Sequence, residues 1–206
     1  MSKIKVLIVD DHAILRMGLA SLLSAKEGIE VIGDAEDGKS AIRLAKKLKP
    51  DVVIMDLMMP EMDGVETTKR LLEEMPEIKV LILTTFGASD GIANALAAGA
   101  KGAVMKSVAF ADLVEAIRTV ANGGEYVSDE LKRILASDPP IPTLSPRQLE
   151  ILESMARGLS NAEIGRQLGI TADMVREHSV ELFAKLRAAN RTEAVAIALR
   201  KHLLKI

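Results

Sequence analysis

The sequence predicts an α/β protein in which a parallel sheet, covered by helices on both faces, is followed by a small all-α domain. In residues 1–122, five short apolar runs alternate with five stretches of helical apolar spacing, which is typical of a parallel sheet with crossover helices. The apolar runs contain few polar residues, as expected for strands that are buried on both sides. After residue 142, the chain contains helical patterns and almost no strand signal.

The elements of the first domain follow from these runs in chain order. Strands are predicted at Ile4–Val9, Ile29–Ile32, Val52–Met55, Val80–Leu83 and Ala103–Met105. Helices are predicted at His12–Ser24, Lys39–Leu48, Gly64–Glu74, Ser89–Ala98 and Phe110–Asn122. The sequence therefore predicts a five-stranded sheet.

A proline-rich segment separates this region from the rest of the chain. Three prolines fall within Ser137–Pro142, and proline is excluded from helix interiors and central strands. We predict that residues 123–142 link a domain at 1–122 to a domain at 143–206, although a rigid surface loop within one domain is the alternative. The four helices after the break are predicted at Pro146–Arg157, Asn161–Leu168, Ala172–Arg187 and Thr192–Leu204.

Composition and charge exclude several functional classes. The chain has 206 residues, of which 49% are hydrophobic and 27% charged, and this argues against wholesale disorder. Cysteine is absent, which excludes disulfides and thiolate metal sites, and aromatic residues make up only 2%, which disfavours a single-stranded nucleic acid reader. Because no apolar run is long enough to span a bilayer, we expect a cytoplasmic protein without a membrane partner.

The two ends of the chain differ in charge. Residues 1–125 carry 15 basic and 19 acidic side chains, whereas residues 143–206 carry 10 basic and 7 acidic side chains. An acidic first part and a mildly basic last part indicate different partners for the two domains.

Acidic and polar side chains follow four of the five predicted strands. Asp10 and Asp11 come after the first strand, Asp56 after the third, Thr84 after the fourth and Lys106 after the fifth. Functional residues of open parallel sheets gather at the carboxyl ends of the strands. Three carboxylates and one lysine leave a charge of −2, which Mg²⁺ would neutralise through hard oxygen ligands. One carboxylate oxygen would then be free to attack the phosphorus of a phosphoryl group.

Four segments of residues 1–122 resemble the receiver domain of response regulators. The segments are Val9-Asp10-Asp11, the run MDLMMPEMDG at 55–64, Leu83-Thr84-Thr85 and Met105-Lys106. The resemblance implies a flavodoxin-like topology and phosphorylation of Asp56 by a histidine kinase. It also implies that Mg²⁺ is held directly by Asp11, Asp56 and the Met58 carbonyl, and through water by Asp10. Thr84 would turn toward the phosphoryl group, and Lys106 would pair with it.

Three positions around this motif need a separate interpretation. Many receivers have an aromatic switch residue three positions before the lysine, where this chain has Ala103. Many also follow the lysine with proline, where this chain has Ser107. We therefore expect signalling to depend on Thr84 and on loop ordering. His12 follows the acidic pair, and we interpret it as the start of the first helix.

The last domain, residues 143–206, resembles the LuxR/NarL-type helix-turn-helix domain. The matching segments are LSPRQ at 144–148, GLSNAEI at 158–164, VREH at 175–178, KL at 185–186 and NRTEA at 190–194. The resemblance implies a dimer that binds double-stranded DNA with the helix at 172–187 in the major groove. The residues that we assign to DNA contact are Asn161, Thr171, Met174, Arg176, Glu177, His178, Val180, Glu181 and Lys185.

The recognition helix predicted at 172–187 has an unusual charge for a DNA-binding element. It carries three basic and three acidic side chains, so we expect weak DNA binding with a shallow salt dependence. Glu177 and Glu181 lie one turn apart and should share a side, and Met174 stands where a phosphate-contacting threonine is common. The positions predicted to face the core are Val175, Ser179, Leu182 and Leu186.

The combined pattern predicts a phosphorylation-controlled transcriptional regulator, not an enzyme, that forms a homodimer when phosphorylated and binds a two-fold DNA site. One alternative is a helical domain that binds a protein partner instead of DNA, which Met174, Glu177 and Glu181 motivate. A second alternative is a Mg²⁺-dependent phosphohydrolase. Enzymes of the haloacid dehalogenase type use similar chemistry, but they need Asp-x-Asp after the first strand, whereas Asp10 and Asp11 are adjacent.

Overall fold

A parallel sheet with helices on both faces forms the centre of the first unit of the chain, residues 1–139. The computed structural model describes residues 3–85, 89–137, 144–201 and 203–204. Among these, the strands are β1 (Ile4–Val9), β2 (Ile29–Ala35), β3 (Val52–Asp56), β4 (Lys79–Thr84), β5 (Gly102–Met105) and β6 (Tyr126–Val127). Their order is β2-β1-β3-β4-β5-β6, and every neighbouring pair is parallel. The predicted α/β fold is confirmed.

Helices cover both faces of this sheet. They are α1 (Ala13–Ser24), α2 (Gly38–Leu48), α3 (Gly64–Glu74), α4 (Ser89–Ala97), α5 (Phe110–Ala121) and α6 (Asp129–Ser137). Side chains of α1 and α5 pack with Val6 and Ile8 of β1, whereas side chains of α2, α3, α4 and α6 pack with Leu7 and Val9 of the same strand. Because adjacent residues of one strand enter opposite cores, the strand is apolar throughout.

Residues 123–137, which the sequence analysis assigns to a linker, form β6 and α6, so the sheet has six strands rather than the predicted five. The N–H of Tyr126 donates to the Lys101 carbonyl at 3.0 Å, and the N–H of Ser128 donates to the Ala103 carbonyl at 3.1 Å. Leu131 of α6 is fully buried against the sheet. A strand of two residues is too short to show an alternating apolar pattern, which is why the sequence predicts five strands and not six. The prolines at 139, 140 and 142 lie outside the described residues.

The second unit, residues 140–206, is helical in its described part. Its helices are α7 (Pro146–Ala156), α8 (Asn161–Leu168), α9 (Ala172–Leu186) and α10 (Arg191–Arg200). Between α8 and α9, Gly169 adopts a φ of 69°, and a Cβ at Gly165 would lie 2.7 Å from the Ile170 carbonyl oxygen. Glycine at these two positions allows the tight turn between α8 and α9. No helix in the described ranges is both long and apolar enough to cross a membrane.

Candidate functional site

Asp10, Asp56 and Lys106 form a buried charged cluster at the carboxyl edge of the sheet. Asp10 follows β1, Asp56 ends β3 and Lys106 follows β5. The Nζ atom of Lys106 lies 2.7 Å from Asp10 Oδ2 and 2.9 Å from Asp56 Oδ2. Both carboxylates are only 2% exposed, so water screens these contacts very little. The strand ends therefore bring together three of the residues that the sequence assigns to the site.

Burial and charge act in opposite directions on the groups of this cluster. Burial raises the pKa of Asp56 above its ordinary value, although Lys106 and the backbone N–H of Met58 act to lower it. Burial also acts to lower the pKa of Lys106, but its close contacts with the carboxylates of Asp10 and Asp56 outweigh this effect, and the net pKa is raised. The two carboxylates therefore favour the charged form of Lys106, and an additional cation would favour the ionised form of Asp56.

Asp11 and His12 extend the cluster toward solvent. The Nδ1 atom of His12 lies 2.7 Å from Asp11 Oδ1 and 3.1 Å from Asp10 Oδ1. The backbone N–H of His12 also donates to Asp10 Oδ1 at 2.8 Å. The sequence indicates His12 only as the start of α1, yet its ring contacts the side chains of both Asp10 and Asp11. The position of His12 directly after Asp10 and Asp11 is the sequence signal from which these contacts could have been predicted.

Arg16 is a second residue of the site that the sequence analysis does not identify. Its Nη1 donates to the backbone carbonyl of Asp10 at 2.7 Å, and its Nε donates to Asp34 Oδ2 at 2.8 Å. The Arg16 side chain is only 12% exposed. Because Arg16 lies one helical turn after His12, both residues point from α1 toward the end of β1. The guanidinium thus fixes the backbone that carries Asp10.

The acidic residues of this edge fit a divalent cation. Asp10, Asp11, His12 and Asp56 each place one ligand atom within 4.8 Å of the others. Within the described ranges, Asp10 Oδ2 and Asp56 Oδ2 are buried without a hydrogen bond of regular geometry, and Lys106 is their charged neighbour. Three carboxylates with one lysine leave a charge of −2, and carboxylate oxygens are ligands that Mg²⁺ prefers. The donor set therefore suits Mg²⁺.

The structure gives less direct support for the predicted site roles of Thr84 and Met58 than for those of the charged residues. Thr84 is buried at the end of β4, and its hydroxyl donates to the Thr85 carbonyl at 3.4 Å instead of contacting a carboxylate. Its own carbonyl accepts from the Lys106 N–H at 2.6 Å. Met58 lies in the loop after β3, with its side chain 54% exposed and its backbone N–H facing Asp56. The Thr84 hydroxyl is therefore directed to the neighbouring carbonyl and not to the charged cluster.

In the second unit, one face of α9 is buried and the opposite face is open. The buried positions are Val175, Ser179, Leu182 and Leu186, which confirms the predicted core stripe. The open face contains Asp173, Met174, Glu177, Val180, Glu181 and Ala184. These six exposed positions carry three carboxylates and no basic side chain.

The nine residues predicted to contact DNA differ in exposure. Asn161, His178 and Lys185 are half-buried, whereas the exposed ones are Thr171, Met174, Arg176, Glu177, Val180 and Glu181. Thr171 caps α9, because its Oγ1 accepts from the Met174 N–H at 3.2 Å. Lys185 Nζ donates to Gln148 Oε1 at 2.9 Å, so it is held toward α7.

Comparisons with known proteins match both units. The family profile described as response regulator receiver domain matches residues 6–118, and the profile described as bacterial regulatory proteins of the luxR family matches residues 142–198. The transcriptional regulatory protein LiaR of Bacillus subtilis is 40% identical over 98% of this chain and 99% of its own length. The response regulator protein VraR of Staphylococcus aureus is 38% identical with the same coverage.

Solved structures agree with these relatives. The response regulator ChrA of a heme-sensing two-component system has 32% identity and a TM-score of 0.60, with 99% of this chain and 100% of that chain covered. The response regulator RcsB in complex with DNA has 26% identity and a TM-score of 0.71, with 97% and 99% covered. The chain therefore belongs to the response regulators, with an amino-terminal receiver domain and a carboxyl-terminal DNA-binding domain of the luxR family.

Proposed function

We propose that this response regulator accepts a phosphoryl group on Asp56 from a histidine kinase, dimerises, and binds double-stranded DNA through α9. The observation that carries the proposal is the ammonium of Lys106, which contacts the buried carboxylates of both Asp56 and Asp10. A buried nucleophilic carboxylate beside a fixed ammonium suits transfer of a phosphoryl group, because the ammonium stabilises the incoming negative charge. Mg²⁺ would be held by Asp10, Asp11, Asp56 and the Met58 carbonyl.

The chemical step requires little from the protein beyond positioning and charge. An oxygen of Asp56 attacks phosphorus, the bond from phosphorus to the donor atom breaks, and the leaving group departs with that electron pair. Bound Mg²⁺ supplies charge neutralisation for the carboxylates and for the phosphoryl oxygens. Lys106 pairs with the new phosphoryl group, and Thr84 exchanges the Thr85 carbonyl for a phosphoryl oxygen. The remaining activities, which are uptake from small phosphodonors and self-dephosphorylation, are weak.

An exposed apolar face of α1 supports dimerisation of the receiver. Ile14 is 89% exposed, Met17 is 73% exposed and Leu22 is 52% exposed, and all three lie on the outer side of α1. Clusters of exposed apolar side chains mark interaction sites, and a two-fold dimer needs a patch that complements itself. A second contact could come from α10 and the residues after it, where Val195, Ala198, Leu199, His202 and Leu203 have helical spacing. This contact has less support, because Val195 and Ala198 pack into the core of their own unit. His202 lies outside the described residues.

A phosphoryl mimic such as beryllofluoride is expected to shift the full chain from monomer to dimer in analytical ultracentrifugation. Ordering of the loops around Thr84 and Lys106 by the added charge provides the link to the receiver surface. Met17→Glu should prevent the shift, whereas Ala97→Glu, on the exposed side of α4, should not. Equal dimerisation constants with and without the mimic would show that dimerisation is not the switch. If Ala97→Glu prevents the shift and Met17→Glu does not, the interface lies on α4 instead of α1.

The double variant Glu177→Val with Glu181→Asn is expected to bind random-sequence duplex DNA roughly tenfold more tightly than the parent chain at low salt. The reason is that two carboxylates are removed from the open face of α9, where each repels DNA phosphates. Arg176→Ala should weaken binding, because it removes a cation from α9. The measurement is a titration of random and genomic duplex over a salt series, and no gain for the double variant would show that these glutamates do not face phosphates. A parent chain that binds neither duplex at any salt concentration would favour a protein partner for the helical domain.

A further inference from the structure

Glu177 is an exposed carboxylate near the centre of the open face of α9. Within the described part of the chain, it takes part in no hydrogen bond or ion pair. The other two acidic residues of this face do have partners. Asp173 Oδ1 lies 3.0 Å from Arg176 Nη2, and Glu181 Oε2 accepts from Gln148 Nε2 at 3.4 Å. Glu177 is therefore the acidic side chain of this face that is available to an external ligand.

Two apolar side chains flank Glu177, in addition to the carboxylates of Asp173 and Glu181 one turn away on either side. Val180 follows it by three residues and is 63% exposed, and Met174 precedes it by three residues and is 43% exposed. Residues three apart are neighbours on a helix surface, so the carboxylate lies between two apolar side chains. A carboxylate in this setting loses water when a ligand covers the face, and it then needs a hydrogen-bond donor from that ligand.

We propose, on the basis of the proposed DNA-binding function, that Glu177 is the residue that recognises cytosine when α9 enters the major groove. Cytosine presents its N4 amino group there as a donor, and a carboxylate accepts from it. Val180 lies one turn further along the helix, and its methyl groups can contact the C5-methyl of a thymine in an adjacent base pair.

The carboxylate discriminates mainly by penalising wrong bases. Guanine presents only acceptors in the major groove, and thymine presents an acceptor and a methyl group. Opposite either base, the carboxylate of Glu177 would lose water next to a base acceptor that also carries a partial negative charge. Specific interfaces commonly use such unpaired polar groups to disfavour the wrong partner. Because the acidic side chains of residues 172–187 equal the basic ones in number, little sequence-independent attraction masks this preference.

Selection of duplexes from a random-sequence pool by the full chain tests this assignment. The pool is selected with the parent chain, with Glu177→Gln, and with Glu153→Gln, which removes the same charge from an exposed position of α7. Sites selected by the parent should share a cytosine at one position of each half-site. Because glutamine pairs with the N6 and N7 atoms of adenine, Glu177→Gln should select adenine there and should bind the parental site about tenfold more weakly. Glu153→Gln should retain the cytosine.

Two results would overturn the assignment. If Glu177→Gln selects the same bases as the parent, or binds all sequences more tightly without a change in base preference, Glu177 is only a repulsive charge. Both of these results leave the proposed DNA binding intact, so they separate the two proposals. If the parent selects no sequence and binds no duplex, this result contradicts both the proposed DNA binding by α9 and the proposed recognition of cytosine by Glu177.

Discussion

Asp56→Asn is expected to abolish phosphoryl uptake by the full chain. The amide oxygen of asparagine is a poor nucleophile, and the substitution also removes one of the anionic oxygens that fit Mg²⁺. Incubation of the parent with a small acyl phosphate and Mg²⁺ should add one phosphoryl group per chain, which intact mass spectrometry detects. The variant should remain unmodified, and excess chelator should suppress modification of the parent to the same extent.

Asp112→Asn is the matched control for this experiment. Asp112 is an exposed residue of α5 that lies outside the strand-end cluster. As in Asp56→Asn, the substitution replaces one carboxylate oxygen by an amide nitrogen. This variant should take up the phosphoryl group as the parent does. Persistent modification of Asp56→Asn, or complete labelling of the parent in excess chelator, would contradict the assignment of Asp56 and the requirement for Mg²⁺.

Gly64→Ala is expected to destabilise the receiver unit by about 3 kcal/mol and to impair phosphoryl uptake. Gly64 is the first residue of α3, and its N–H donates to the Leu57 carbonyl at 3.0 Å. A Cβ at this position would collide with the carbonyl oxygen of Asp56 and would lie 2.8 Å from Leu57 Cα. These obstacles are backbone atoms that cannot rotate away, so the cost falls at the upper end of the range for overpacking. Any relief of the collision must move Asp56.

Urea unfolding followed by far-UV circular dichroism measures this effect. The receiver transition should shift to lower urea in Gly64→Ala, and uptake of the phosphoryl group should fall in parallel. Gly18→Ala in α1 is the control, because a Cβ there meets no heavy atom within 4 Å. Alanine at a helix interior adds up to about 1 kcal/mol of stability relative to glycine, so the control should unfold at the same or higher urea. An unchanged transition in Gly64→Ala would show that the turn after β3 tolerates a side chain.

The strand-end cluster was predictable because its geometry follows from topology alone. Parallel strands place their carboxyl ends at one edge, so Asp10, Asp56 and Lys106 had to meet once the strands were identified. The contacts of His12 and Arg16 with the acidic residues depend instead on where α1 starts and on side-chain directions, which periodicity does not specify. The link from Gln148 to Glu181 and Lys185 joins α7 to α9 across 33 and 37 positions of the sequence, and no local pattern indicates it.

The position of Ala103 could be read from the sequence, but its environment could not. Ala103 is fully buried in β5, where it pairs with Ile82 of β4 and Val127 of β6. The second of these partners belongs to a strand that the sequence analysis assigned to a linker. A small side chain at this position therefore lies inside the sheet core, and the described residues of the cluster around Ala103 include no aromatic side chain.

The short strand β6 also has a consequence for how this receiver avoids self-association through its sheet. Without residues 123–137, β5 would become an edge strand whose free N–H and C=O groups lie next to the apolar surface that Leu131 covers. Such edges are templates for pairing with the strands of other molecules. A fragment that ends at residue 122 would therefore expose the whole edge of β5, whereas a fragment that ends at residue 137 would expose an edge strand of only two residues, β6.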